Sequence, residues 1–238
     1  PAAARTLHAR IDRVDATVAQ MQAVDARLSW PAGAPHGEMA LQAARLQSPA
    51  LGYDFRNVRW NCALQRDATG RWWCDGDVRA GNGKPMRLAV DLGPERTTGS
   101  LSRGQSRIAI QRRAAVPDLT AIDITSVPIA WAQALLAQAW AAPVLQDGRI
   151  DGALQLLSTD GVVQVDGALA FAEVAFETPD ATVAGQGLGG RFALDYRLAG
   201  ADTDVQLRGQ LERGEFLAGN AYVALDGPVE VEVQARGE

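Results

Sequence analysis

Histidine, cysteine and lysine are nearly absent from this chain, and each shortage closes a route to chemistry. Among 238 residues there are two histidines (His8, His36), two cysteines (Cys62, Cys74) and a single lysine, Lys84. A serine triad needs a histidine base beside its nucleophile. His8 lies in a strand-like run and His36 in a Pro/Gly loop, with no nucleophile motif near either. A structural zinc site needs four ligands, and these four residues lack a ligand spacing. Basic runs interleaved with aromatics are missing, and the net charge is −5, so nucleic acid is not an expected partner. Acidic residues are plentiful, but those beside glycine read as turn residues, and no pair stands out as acid and base. No catalytic residue, metal or cofactor is expected, and the chain reads as non-enzymatic.

Long apolar runs are missing too. The most apolar stretch, 127–145, is broken by Pro128, Gln133, Gln138 and Pro143. A helix between the prolines has room for about 14 residues, roughly 21 Å, whereas a span needs about 20 residues. A docked or interfacial helix is expected over about 128–142, with Pro128 in its first turn and Pro143 stopping it. Trp131 and Leu135 form one stripe of it; Ile129, Ala132, Leu136 and Trp140 form another. Trp131, Leu135, Leu136 and Trp140 are the candidate plug residues. No signal peptide opens the chain, as expected of a mature protein or an excised segment.

What the sequence has in quantity is alternation with period two, the mark of half-buried strands. Phe192, Leu194, Tyr196 and Leu198 alternate with Arg191, Asp195 and Arg197. Val205, Leu207 and Leu211 alternate with Gln206, Arg208, Gln210 and Glu212. Val229, Val231 and Val233 alternate with Glu230, Glu232 and Gln234. Earlier runs repeat the pattern, including Val163, Val165, Leu169 and Phe171, then Leu88, Val90 and Leu92, and Val58, Trp60, Cys62 and Leu64. Asp-Gly pairs at 75–76, 147–148, 151–152, 160–161, 166–167 and 226–227 read as turns, some of them as strand glycines or bulges. The expected architecture is mainly β: strand block 1–126, the helix, and strand block 147–238, in one elongated domain over 1–238.

Cys62 and Cys74 flank the turn-rich centre Arg66-Asp67-Ala68-Thr69-Gly70. If Arg66 faces Gly70 across a three-residue loop, Cys62 falls opposite Cys74, Leu64 opposite Trp72 and Val58 opposite Val78, within reach of a disulfide. Such a bond implies an oxidising compartment, the periplasm or the exterior. Gly185-Gln186-Gly187-Leu188-Gly189-Gly190 matches the dinucleotide pattern G-x-G-x-x-G, but a strand-like run follows where a helix is required. It reads as a glycine-rich turn.

Val127-Pro128-Ile129-Ala130-Trp131, then Leu135-Leu136, then Gly148-Arg149-Ile150-Asp151-Gly152-Ala153-Leu154 form a constellation. With the lead-in Asp118-Leu119-Thr120 and Ile122-Asp123, it resembles the AsmA-like family, which includes TamB- and YdbH-type proteins. The resemblance covers the helix and the C-terminal half, and the N-terminal half through strand pattern alone. The family's N-terminal membrane anchor and great length are missing here, as in a segment of a longer chain tethered to the inner membrane elsewhere. The resemblance implies a long, curved, taco- or gutter-like antiparallel sheet whose apolar interior carries phospholipid or another acyl-chain lipid across the periplasm between inner and outer membranes, with membrane proteins at either end as partners. On this reading Val163, Val165, Leu169, Phe171, Phe192, Leu194, Leu198, Val205, Leu207, Val229, Val231 and Val233 line the groove. The alternative is a cell-envelope structural or protein-interaction β-sandwich with a closed core. At least one exposed sheet edge, continuing in the parent protein, is expected, and a terminal strand covered by a helix or closed into a barrel would count against a conduit.

Overall fold

The computed structural model describes residues 5–16, 19–139, 142–200 and 202–237, apart from the side chains of 50, 138 and 139. Among the described residues the protein is mainly β, with one short α-helix and one antiparallel sheet of fifteen strands that is not closed into a barrel. Strands β1 to β14 follow one another in chain order, and β15 lies beside β13. Simple hairpin succession suits a sequence in which each apolar-alternating run is followed by a turn. The chain divides into two compact units, 1–104 and 105–238.

The first unit holds β1 (Arg5–Asp15), β2 (Gln20–Trp30), β3 (His36–Ser48), β4 (Tyr53–Arg66), β5 (Trp72–Ala80), β6 (Met86–Leu92) and β7 (Arg96–Arg103). Its register puts the apolar phase of every strand on one face: Ile11, Val24, Ala43, Val58 and Ala80 are successive Cα partners. So are Leu41, Trp60, Val78 and Met86. Val24, Ala43 and Val58 form one buried cluster; Trp60, Cys62 and Cys74 form another. The opposite face carries the charges, with Arg87 on Asp75 at 2.6 Å and His8 on Asp25 at 2.7 Å. Among the described residues β1 pairs only with β2, and its Leu7 is 64% exposed.

The Cys62–Cys74 disulfide forms, with a Cα–Cα distance of 5.6 Å, but across a different register from the one expected. Cys62 faces Gly76, Leu64 faces Cys74, and Arg66 faces Trp72. The bond therefore runs diagonally between neighbours on one face. The cause is Asp67. Its carboxylate accepts from the backbone N–H of Thr69 and of Arg71, and its own N–H donates to the Arg71 carbonyl, so the turn extends through Arg71. Gly70 takes φ +84°, as a glycine can.

The second unit holds β8 (Ser106–Arg113), β9 (Val116–Pro128), the helical segment, β10 (Val144–Thr159), β11 (Val162–Glu177), β12 (Val183–Ala199), β13 (Asp202–Ala218), β14 (Ala221–Ala224) and β15 (Val229–Gly237). Pro128 ends β9 rather than opening a helix; Ile129–Ala132 make a 3-10 turn, and α1 runs Gln133–Ala139. The Gln133 side chain ties the segment back, donating to the Pro143 carbonyl and accepting from the Leu145 N–H.

Most Asp-Gly pairs are not turns. Asp160 and Gly161, both at positive φ, connect β10 to β11, and Gly227 lies between β14 and β15. Gly76, Gly148, Gly152 and Gly167 lie inside strands instead. Likewise 185–190 is strand, not turn: it lies in β12, where bulges interrupt pairing with β13 and Gly187 takes φ +61°. No helix N-terminus follows it, so the pyrophosphate-binding geometry is absent there.

Candidate functional site: the apolar face

All twelve groove candidates of the second unit fall on one face of its sheet. Leu169, Phe192, Gly209 and Val231 are successive Cα partners; so are Gly167, Leu194, Leu207 and Val233. Val165 pairs through Tyr196 to Val205, Val163 pairs with Leu198, and Phe171 pairs through Gly190 and Leu211 to Val229. The face extends back through Leu154 and Ile122 to Ile110, residues missing from the candidate set.

Burial along this face is uneven, and the unevenness defines the site. Val163 is 4% and Phe192 8% exposed, whereas Val229 is 46% and Val233 49% exposed. Val165, Leu169, Phe171, Leu194, Leu198, Val205, Leu207 and Val231 are half-buried. A face packed against a second sheet would hide such residues almost completely.

The helical segment packs onto one end of the face through Ile129 and Ala132. Ile129, Ile150, Val174 and Leu188 form a buried cluster, with Ala132, Leu145 and Phe176 packed against it. Trp131 and Leu136 are half-buried, Leu135 is exposed, and Trp140 lies outside the described residues. Among the described residues, Ile129 and Ala132 of the 3-10 turn just after Pro128 belong to this buried cluster. The sequence signal was available in Ile129 and Ala132, which share a stripe.

Glycines shape the face. Gly152 sits opposite Leu169, Gly190 opposite Phe171, and Gly209 opposite Phe192. A Cβ on Gly209 would meet the Arg191 carbonyl and lie 2.7 Å from Phe192 Cα; one on Gly152 would lie 2.6 Å from the Ala168 carbonyl oxygen. Neighbouring backbones therefore come closer at these points than any side chain allows, the device by which a sheet bends locally.

The outer face is polar and laced with cross-strand pairs. Arg208 meets Glu232 at 2.9 Å, and Arg236 meets Asp204 at 3.5 Å. In the first unit Arg71 donates to Asp91 from Nε at 2.8 Å and again from Nη2, which holds that carboxyl below the usual carboxylate range. Hydrogen bonds from His8 to Asp25 and from Arg45 to Asp54 lower those carboxyls too. A carboxylate depressed in the folded state stabilises at pH above its unfolded value and loses that contribution as pH falls through its folded one. The denaturation midpoint should therefore respond little to these groups above about pH 4 and fall below it. Arg71→Gln should shrink that acid loss, as urea titrations from pH 7 to pH 2 will show.

No protein-family model, no curated protein and no solved structure matches this chain. The resemblance to the AsmA-like family rests on the residues quoted for it. Among the described residues, no three of His, Cys, Asp and Glu gather where they could hold a metal ion. No described helix is long and apolar enough to cross a membrane.

Proposed function

We propose that this chain is a non-enzymatic, lipid-holding segment of an AsmA-like bridge protein of the periplasm, moving phospholipid between inner and outer membranes along the apolar face of its sheet. One observation supports the reading: twelve side chains chosen for alternation share one face, ten of the twelve are half-buried or exposed, and Ile129 and its neighbours pack over one end of it. An acyl chain laid there removes apolar surface from water on both partners, on the order of 0.8 kcal/mol per CH₂. Transport asks no bond-making of the protein, in keeping with a sequence poor in histidine. The disulfide favours an oxidising compartment. A closed interaction sandwich is the weaker reading, since it needs a second sheet packed over the same face.

Native mass spectrometry of gently purified full chain should show bound phospholipid, and recovery of the chain without any lipid would overturn the proposal. Leu194→Asp with Leu207→Asp places two carboxylates at paired positions of the face. Phospholipid binding should fall at least tenfold, because each charge must be desolvated beneath the acyl chain. Asp195→Ser, exposed on the other face, should leave binding unchanged.

A further inference from the structure

Trp60 carries the one buried side-chain polar atom among the described residues with no hydrogen-bond partner, its indole Nε1. The residue is 9% exposed and lies on the apolar face of the first unit, between its Cα partners Leu41 and Val78. Met39, Leu41, Leu64, Val78, Leu88 and Val90 are the apolar side chains packed against the Trp60, Cys62 and Cys74 cluster. Trp30 shows the ordinary solution, donating its indole N–H to the Ala34 carbonyl at 3.2 Å. An indole N–H can only donate, and a buried donor left unmade is costly where a phenyl ring would fill similar space.

We propose that the apolar face of the first unit takes an acyl ligand bearing a neutral hydrogen-bond acceptor, the ester carbonyl of a glycerolipid, and that the Trp60 N–H receives it. This rests on the lipid-holding reading and extends it to the N-terminal unit. The chemistry selects the ester. A buried neutral donor complements a neutral acceptor at the head of an acyl chain, whereas a free carboxylate would give up its hydration for a single hydrogen bond. Met39, with three rotatable bonds, is the member of the cluster best able to make room.

The test compares a short-chain diacyl phosphatidylcholine, kept below its micelle concentration, with the matching dialkyl ether lipid, which has the same headgroup and no carbonyl. In the full wild-type chain, the Trp60 indole N–H resonance should move downfield with the ester lipid and not with the ether lipid. Trp60→Phe should weaken ester-lipid binding about fivefold, the worth of one hydrogen bond, and leave ether-lipid binding unchanged. Equal weakening for both lipids, or an unmoved resonance, overturns the assignment of Trp60. If lipid still binds in that case and Leu194→Asp with Leu207→Asp abolishes it, the lipid-holding reading stands without Trp60. Failure of both lipids to bind overturns the two together. The wild-type resonance decides the matter even if Trp60→Phe does not fold.

Discussion

Gly209→Val should destabilise the protein by at least about 3 kcal/mol, the upper range for overpacking a tight site. By local preference the substitution ought to help, since glycine inside a strand costs roughly 0.5–1 kcal/mol against a residue with a side chain. The geometry reverses the sign. Gly209 faces Phe192 on β12, and a Cβ there would overlap the Arg191 carbonyl oxygen and approach Phe192 Cα to 2.7 Å. These are backbone atoms of a strand paired on both sides, so relief requires moving β12 away from β13. Gly76 makes the same demand in the first unit, where a Cβ would meet the Asn61 carbonyl and lie 2.7 Å from Cys62 Cα. Gly227 is the control. It lies in the loop before β15 with nothing near its Cβ position, and Gly227→Ala should stay within about 0.5 kcal/mol of wild type. Urea denaturation of Gly209→Val, Gly76→Val and Gly227→Ala checks the order, and a Gly209→Val chain as stable as wild type would remove close backbone approach as the account of this face.

These glycines mark where the sequence was readable and where it was not. Strand phase was readable because period two survives bulges: Phe192, Leu194 and Leu198 stay on one side whatever the loops do. The apolar face of the second unit follows from that alone. Turns were harder, because Asp-Gly serves both as a hairpin at 160–161 and as strand interior at 151–152 and 166–167. The distinguishing signal is phase. Gly152 holds the position between Ile150 and Leu154 that an apolar residue would hold, whereas Gly161 interrupts the alternation. The Cys62–Cys74 pairing was readable from proximity, but its register was not, because it depends on the Asp67 carboxylate lengthening the turn through Arg71. The helix illustrates a third limit. Stripe analysis finds its apolar side, yet Pro128 belongs to β9, so Ile129 and Ala132 pack in the buried cluster from a 3-10 turn while Leu135 is exposed.

Removal of the disulfide should cost about 3 kcal/mol, the chain-entropy value for a loop of this size, where the cysteines are separated by 12 residues. Burial adds to the loss in one variant and not in another. Cys74 is 3% and Cys62 7% exposed, packed with Trp60 among Met39, Leu64, Val78, Leu88 and Val90. Cys74→Ser puts a hydroxyl into that aliphatic setting and leaves an unpaired thiol, so it should exceed the entropic figure by the cost of an unmet polar group, about 1–3 kcal/mol. Cys62→Ala with Cys74→Ala introduces no polar atom and should lie closer to the entropic figure alone. Since the bond ties β4 to β5 diagonally, its loss should first free the hairpin carrying Arg66 and Trp72, whose guanidinium and indole now stack at 4.9 Å. Denaturant titrations of oxidised, reduced and doubly substituted chains, with amide exchange across 62–74, separate the two contributions. Equal stability of oxidised and reduced chains would show that packing of β4 on β5, and not the covalent link, holds this part of the sheet.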